Sequence, residues 1–299
     1  MTQETVDICL CTYRRPHLAE TLRTVLAQET SALACRVIIA DNDVEPSAKA
    51  MVEEIAAGAP MPVTYVHAPK QNISLARNAC LDAATGDWVA FLDDDETAPP
   101  DWIETLWRHA TRTGQDIVFG PAHAIYPDDA PEWIREADYH TNLAPVHNGV
   151  VETGHTCNVL MRWGEHETTR ERFLLSKGRT GGEDVEFFFR MHRAGRILGS
   201  CDEAGVYEVT APERLTYAWV RKRRFLAGQF HGAHSGPADK APLHRAKLIT
   251  GSSVKMLYSL LRALAAAGSP TDRRRWMIRG GFHAGVCAGA FGMRQANQY

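Results

Sequence analysis

The chain has no CxxC pair and no cysteine cluster. Its seven cysteines (Cys9, Cys11, Cys35, Cys80, Cys157, Cys201 and Cys287) are odd in number and scattered. A disulfide framework and a zinc knuckle are therefore unsupported, and a reducing compartment is the simplest reading. No uncharged apolar stretch reaches the roughly 18 residues of a spanning helix. The opening MTQETVDICLCTY lacks a basic segment leading into an apolar run, which argues against a secretory signal. The expected location is the cytoplasm. Repeats and low-complexity tracts are absent. Acids are nearly absent from the C-terminal segment: from Lys240 onward ten Lys/Arg stand against Asp272 alone, which gives +9 there and, within a net charge of -3, leaves -12 for the rest. Opposite signs in two segments predict two surfaces with different partners.

What is present is an ordinary globular composition, 44% hydrophobic and 23% charged over 299 residues, enough for one large core with an appendage or for two domains. The first hundred residues alternate apolar runs with helical patterns. VDICLC (6–11), CRVIIA (35–40), VTYVHA (63–68) and WVAFL (88–92) are strand candidates. Between them lie HLAETLRTVLAQ, with Leu18, Leu22, Val25 and Leu26 at helical spacing after Pro16, then SAKAMVEEIAA, then ISLARNACLDAA with Gly86 as its expected C-cap residue. This alternation predicts right-handed βαβ units and a mostly parallel α/β sheet. Ligands of such sheets sit beyond the carboxyl ends of the strands. There the polar clusters fall: TYRR (12–15), DND (41–43) and DDDE (93–96). After QDIVFGPA (115–122) the alternation weakens into loops and mixed strands, expected to build a second binding half.

Four carboxylates crowded at a strand end, Asp93 to Glu96, repel one another unless a cation lies among them. An isolated acidic run is more often a solvated turn. Mg²⁺ or Mn²⁺, however, takes oxygen ligands, and a Mg²⁺ site uses only one or two carboxylates when phosphate oxygens supply others. The neighbouring motifs favour the metal. ICLCTYRRP, VIIADND, NISLARNACLDAATGDWVAFLDDDE and GGEDVEFFFRMHRAG, in this order within roughly residues 5 to 230, resemble the inverting family 2 glycosyltransferases of GT-A fold, particularly bacterial members that build surface polysaccharides. The resemblance implies a Rossmann-like sheet flanked by helices, a nucleotide-sugar donor, and Mn²⁺ or Mg²⁺ as cofactor. By that resemblance Thr12, Tyr13 and Arg14 meet the nucleotide, with Tyr13 stacking on the base and Arg14 or Arg15 facing phosphate. Asp41 would contact the base and Arg77 reach the nucleotide. Asp93 and Asp95 are the DxD equivalents and metal ligands, Asp95 foremost, with Asp94 near the ribose. The family's pattern often reads DADD; Glu96 departs from it at the last position and leaves open which of the four acids hold the ion. Asn158 in TGHTCNVLMR resembles the family's donor or acceptor loop.

Transfer of a sugar to a hydroxyl also needs a base. RTGGEDVEFFFRMHRAG (179–195) offers two glycines as a turn, then acids at the start of an amphipathic helix. The resemblance makes Asp184 that base and Glu183 an acceptor-positioning residue. Acids at a helix N-terminus also favour the helix dipole, by roughly 0.3–1 kcal/mol, so position alone would not single them out. His231 and His234 in GQFHGAH are candidates for a further metal ligand, and Arg214, Trp219, Arg223 and Arg224 for phosphate contact.

Residues 1–237 are expected to form the catalytic domain and 238–299 a basic helical extension, with a helix over 245–268 and, in 273–294, an arginine cluster and an apolar run too short to span a bilayer. Basic flanks, Trp276 and amphipathic faces suit peripheral contact with the inner face of the plasma membrane. A helical hairpin packed on the catalytic domain, or on another subunit of a homo-oligomer, fits the same pattern. Nucleic acid fits poorly, because the catalytic part is acidic. The whole reads as a metal-dependent inverting glycosyltransferase using a nucleotide-sugar, UDP-linked by expectation, on a glycan or lipid-linked glycan acceptor. The alternatives are a sugar nucleotidyltransferase, whose Gly-rich basic signature TYRRP lacks, and an inactive scaffold of the same fold.

Overall fold

The computed structural model describes residues 3–164, 166–234 and 242–293. It divides into two compact units: residues up to Ile125 together with His140–Val209, and Tyr126–Tyr139 together with the chain from Thr210 onward. The boundary expected at residue 237 thus falls earlier, since the helix Tyr217–His234 packs with the C-terminal helices, and a short inserted segment joins it.

The first unit begins β1 (Glu4–Thr12), α1 (Leu18–Leu26), β2 (Leu33–Asp41), α2 (Lys49–Ala56), β3 (Val63–His67), α3 (Ile73–Ala83) and β4 (Trp88–Asp93). It continues with β5 (Glu96–Thr97), α4 (Trp102–Thr113), β6 (Ile117–Phe119) and β7 (Ala122–Ile125). Seven strands form the main sheet in the order β11-β6-β10-β4-β1-β2-β3, where β10 is Asn158–Arg162 and β11 is Leu198–Ser200. All neighbours are parallel except β10, which runs antiparallel between β4 and β6. A three-stranded sheet pairs β5 and β7 with β12 (Val206–Val209), and β8 (Val146–His147) forms a hairpin with β9 (Val150–Val151).

The strands read as unbroken apolar runs because both faces are covered. Val6, Ile8 and Leu10 turn toward the cluster containing Leu18 and Leu22 of α1 and Ile103 and Leu106 of α4. Cys9, Ile38 and Phe91 turn the other way, toward Ala76 and Leu81 of α3 and Phe187, Phe188 and Met191 of α6 (Glu183–Arg193). Gly86 is not the cap of α3: Ala84, in extended conformation, ends that helix. A Cβ at Gly86 would lie 3.1 Å from the carbonyl of Thr5, so a close pass beside β1 is what favours glycine there.

The second unit holds α5 (Glu132–Ala137), α7 (Tyr217–His234), α8 (Pro242–Ala265) and α9 (Pro270–Ala290). Trp133 and Ile134 pack with Val220 and Ile278 in a small core of its own. α7 and α9 cross through facing glycines. A Cβ on Gly228 or Gly232 would sit 2.0 Å from the carbonyl oxygen of Phe282 or Val286, and one on Gly285 would meet that of Phe225 at the same distance. Small residues four apart let two backbones approach this closely. Among the described residues no helix is long and apolar enough to cross a membrane.

Candidate active site

The parallel register brings the strand ends together, with Thr12 opposite Asp41 and Cys11 opposite Asp93. The acidic run therefore begins where β4 ends. Asp93 keeps 47% of its side-chain surface open. Enclosure by protein pushes its carboxyl up to about 7, against the pull of Arg77, and Asp95, Asp94 and Glu208 add to the rise. Asp94 is buried with Oδ2 lacking a hydrogen-bond partner. Burial pushes it up to about 6 against the pull of the neighbouring Thr12 hydroxyl and of Arg15, and Asp95 adds to the rise. Glu96 turns inward, accepts a hydrogen bond from the Asp93 amide at 3.1 Å, and is raised well above the carboxylate range by burial and by Asp93. Across the small sheet it stands opposite Glu208, a like-charge pair that disfavours ionisation of both.

Two loops flank the run. Arg15 Nη1 lies 3.4 Å from Asp95 Oδ2, and its Nε lies 3.9 Å from Asp94 Oδ1. Arg14, at φ 53, turns instead to donate from Nε to Asp43 Oδ2 at 2.7 Å, and this guanidinium holds Asp43 below the usual range. Of the two arginines, Arg15 is thus the one at the acids. Tyr13 exposes 41% of its surface, and its hydroxyl accepts from Gln71 Nε2 at 3.1 Å. Thr12 is buried, with Oγ1 unpartnered. Arg14, Arg15, Asp43, Glu45, Ser47 and Met51 are among the residues lining a cleft of about 570 Å³ between these loops. Asp41 does not reach it. It is fully enclosed, accepting from the amides of Asp43 (3.0 Å) and Ala48 (2.9 Å) and from Tyr65 Oη (2.8 Å). The Asp41 carboxylate is thus taken up in building the β2–α2 turn, and Asp43 lines the cleft.

Arg77 also differs from expectation. Rather than extending to a nucleotide, its guanidinium is buried, paired with Glu183 Oε1, 4.0 Å from Asp93 Oδ1, and set over the Phe173 ring. Burial works against its charge, but Glu183, Asp93 and Asp184 together raise its pKa. Glu183 Oε2 is buried without a partner, and burial raises the Glu183 carboxyl despite Arg77. Gly181 (φ 80) and Gly182 (φ 78) occupy the left-handed region that glycine tolerates, and they turn the chain into α6. Asp184 Oδ1 accepts from the Val185 amide at 2.7 Å, and Oδ2 lies 3.3 Å from His155 Nδ1. Burial alone would raise Asp184; the hydrogen bond and charge of His155, with Arg77, outweigh it and hold the carboxyl down at about 2.

Asn158 is likewise taken up inside the fold. It is buried, accepting from Trp102 Nε1 at 2.8 Å and donating to the carbonyls of Pro121 (2.9 Å) and Ala204 (2.7 Å), so it braces β10 and meets no open space. The sequence reading missed Asn72 and Asn78. Asn72 caps α3, accepting from Leu75 N, and donates to the Leu175 carbonyl at 2.9 Å. Asn78 donates to Phe173 O at 2.9 Å and accepts from Phe173 N at 2.8 Å, as a neighbouring strand would. Both stand inside NISLARN, so that motif fastens the loop that precedes Glu183 and Asp184. His155 was missed too, because a lone histidine carries no spacing signal. Of the two further metal candidates, the His231 ring lies 6.1 Å from that of Phe282, and the His234 side chain is outside the described residues.

Residues 7–167 match the model of the family described as Glycosyl transferase family 2. The chain is 44% identical over 296 residues, 98% of its length and 95% of the relative's, to the succinoglycan biosynthesis protein ExoM of Rhizobium meliloti. The chain belongs to glycosyl transferase family 2. A glucosyl-dolichyl phosphate glucuronosyltransferase of Haloferax volcanii is 35% identical over 104 residues, 34% of this glycosyltransferase and 32% of its own chain. In structure the glycosyltransferase is similar to the mannosyltransferase PcManGT of Pyrobaculum calidifontis, solved in complex with GDP-Man and Mn²⁺. The TM-score is 0.65 at 15% identity, over 98% of this chain and 89% of that one. The fold is GT-A. The family implies a divalent ion, and the acids fit one: the buried Asp94 Oδ2 has no hydrogen-bond partner, and burial together with the neighbouring carboxylates disfavours charge on Asp93 and Asp94 unless a cation lies among them. They do not form a closed cage. Among the described residues the one trio of ligand atoms within 4.8 Å of one another is His109, Cys201 and Glu203, outside this run. An open site of one or two carboxylates suits an ion that takes its other ligands from substrate.

Proposed function

We propose that this glycosyltransferase moves a sugar from a nucleotide-sugar, UDP-linked by expectation, to a hydroxyl of a glycan or lipid-linked glycan. The reaction would be a single inverting displacement serving polysaccharide assembly at the inner face of the plasma membrane. The observation that carries this reading is the buried Arg77, which ties the acidic run to the Glu183–Asp184 pair at one edge of the sheet. Asp93 and Asp95 would hold Mn²⁺ or Mg²⁺, which when bound neutralises charge on the departing diphosphate. Arg15 supplies a fixed positive group beside the same acids. The 570 Å³ cleft with Tyr13 above and Asp43 within suits a nucleoside. Glu183, locked by Arg77, sets the first turn of α6 and so positions Asp184.

Asp184 is ionised at neutral pH and acts as the base. The acceptor oxygen bonds to the anomeric carbon while the bond from that carbon to the diphosphate breaks, and the hydroxyl proton passes to the Asp184 carboxylate. A carboxyl held near 2 is a weak base, so the proton leaves late, once the new bond has made the hydroxyl acidic. Names of relatives support the polysaccharide reading: ExoM is a succinoglycan biosynthesis protein. The test is a donor screen by calorimetry, with UDP- and GDP-linked sugars, with and without Mn²⁺, followed by turnover. Asp184→Asn should bind the donor nearly as tightly and lose transfer by about 10²-fold or more. Undiminished turnover would remove Asp184 from the reaction, and donor binding without turnover in wild type would favour the scaffold.

A further inference from the structure

α8 carries an apolar stripe on its open side as well as its packed side. Its buried positions are Ser252, Ser259 and Ala263, and Ser259 lies so near α9 that a Cβ on Gly280 would be 3.4 Å from its own. Leu248, Ile249 and Met256 are half-buried on that side, while five further large apolar residues point the other way: Leu243, Val254, Leu257 (58% exposed), Leu261 (56%) and Leu264 (74%). At ~100° per residue these five fall within about 80° of arc, opposite the serines. A continuous exposed apolar stripe of this length marks an interaction face.

The charges beside it say what covers it. Lys247, Lys255 and Arg262 follow one border of the stripe, and α8 contains no Asp or Glu. Arg262 donates from Nη1 to Tyr258 Oη at 2.9 Å and lies 4.7 Å from the ring centroid of Trp276 on α9, so an aromatic pair and a cation stand together at that border. A second copy seated on this face would set cations against cations with no carboxylate on either side. An anionic headgroup layer neutralises them while its acyl boundary takes the leucines. No described helix can cross the bilayer, so α8 would lie in its plane. We infer that the outward face of α8, Leu243 to Leu264 with Lys247, Lys255 and Arg262, docks the protein on an anionic lipid surface.

The test uses the full chain and measures protein partition, so it stands apart from the transfer reaction. Vesicles of phosphatidylcholine with about 30 mol% phosphatidylglycerol should carry the protein in flotation, and pure phosphatidylcholine vesicles should carry much less. Leu257→Gln with Leu261→Gln should weaken partition about tenfold or more while leaving circular dichroism melting unchanged. Lys255→Gln with Arg262→Gln should weaken it and remove its salt dependence. Equal partition of the leucine variant, or absence of wild type from anionic vesicles, overturns the inference. So does a wild-type dimer in sedimentation equilibrium that the leucine variant dissolves, since the face would then belong to a second copy.

Discussion

At the residue scale, the group on which the site's electrostatics turn is Arg77. It sits between Glu183 and Asp93, is nearly inaccessible, and is compensated for leaving water chiefly by these two carboxylates, with Asp184 and the Phe173 ring adding to them. Removing one partner of a buried pair costs roughly 3–5 kcal/mol because the other charge is stranded. Arg77→Met should therefore lower unfolding free energy by about that amount in urea titration. Arg77→Lys should recover only part, because an ammonium cannot span two partners as a guanidinium does. Asp93 and Asp94 set a pH dependence of definite sign. Their folded pKa values, about 7 and about 6, lie above the ordinary 3.8, so the folded chain binds protons more tightly than the unfolded one. The stabilisation from protonation is full in acid and lost as pH rises through those values. Without divalent ion, stability should fall as pH rises from about 4 to about 7, by on the order of 1 kcal/mol once solvent screening of the half-open Asp93 is discounted. Asp94→Asn should flatten the fall and saturating Mn²⁺ should reverse it, both read from urea midpoints.

At the scale of elements, the strands and helices of the first ninety residues were legible to within two residues, because short continuous apolar runs and helices of period 3.6 alternate there without competing signals. The acidic run and the Glu–Asp pair were legible as patterns, since β4 and a glycine turn deliver them. Roles set by long-range contact were not: Asp41 and Asn158 look available in sequence and are enclosed by residues tens of positions away. The antiparallel β10 was also hidden, as a five-residue apolar strand does not declare its direction. The crossing of α7 and α9 is another long-range fact. With Phe225 O 2.0 Å from where a Gly285 Cβ would stand, the backbones must part to admit a methyl. Gly285→Ala should cost roughly 1–3 kcal/mol, read as a lower melting temperature. Gly251→Ala, in open space on α8, should not lower it.

For the whole molecule, two compact units share one chain, and the acidic run, the cleft beside Arg14 and Arg15, and the Glu183–Asp184 pair all belong to the first. The matched family segment ends at residue 167, short of Glu183 and Asp184, whereas likeness to ExoM runs through them. A ligand that binds only the folded state adds RT ln(1 + [L]/Kd), about 2.7 kcal/mol at a hundredfold excess over Kd. In scanning calorimetry, Mn²⁺ with nucleoside diphosphate should thus move the transition of the first unit upward and leave any separate transition of the second in place. The open apolar stripe of α8 carries a practical warning for engineering. Leu257 and Leu261 lend the fold little, so a library ranked on heat tolerance would score their loss as harmless. Such a ranking would keep sturdy molecules stripped of the face we infer to meet lipid.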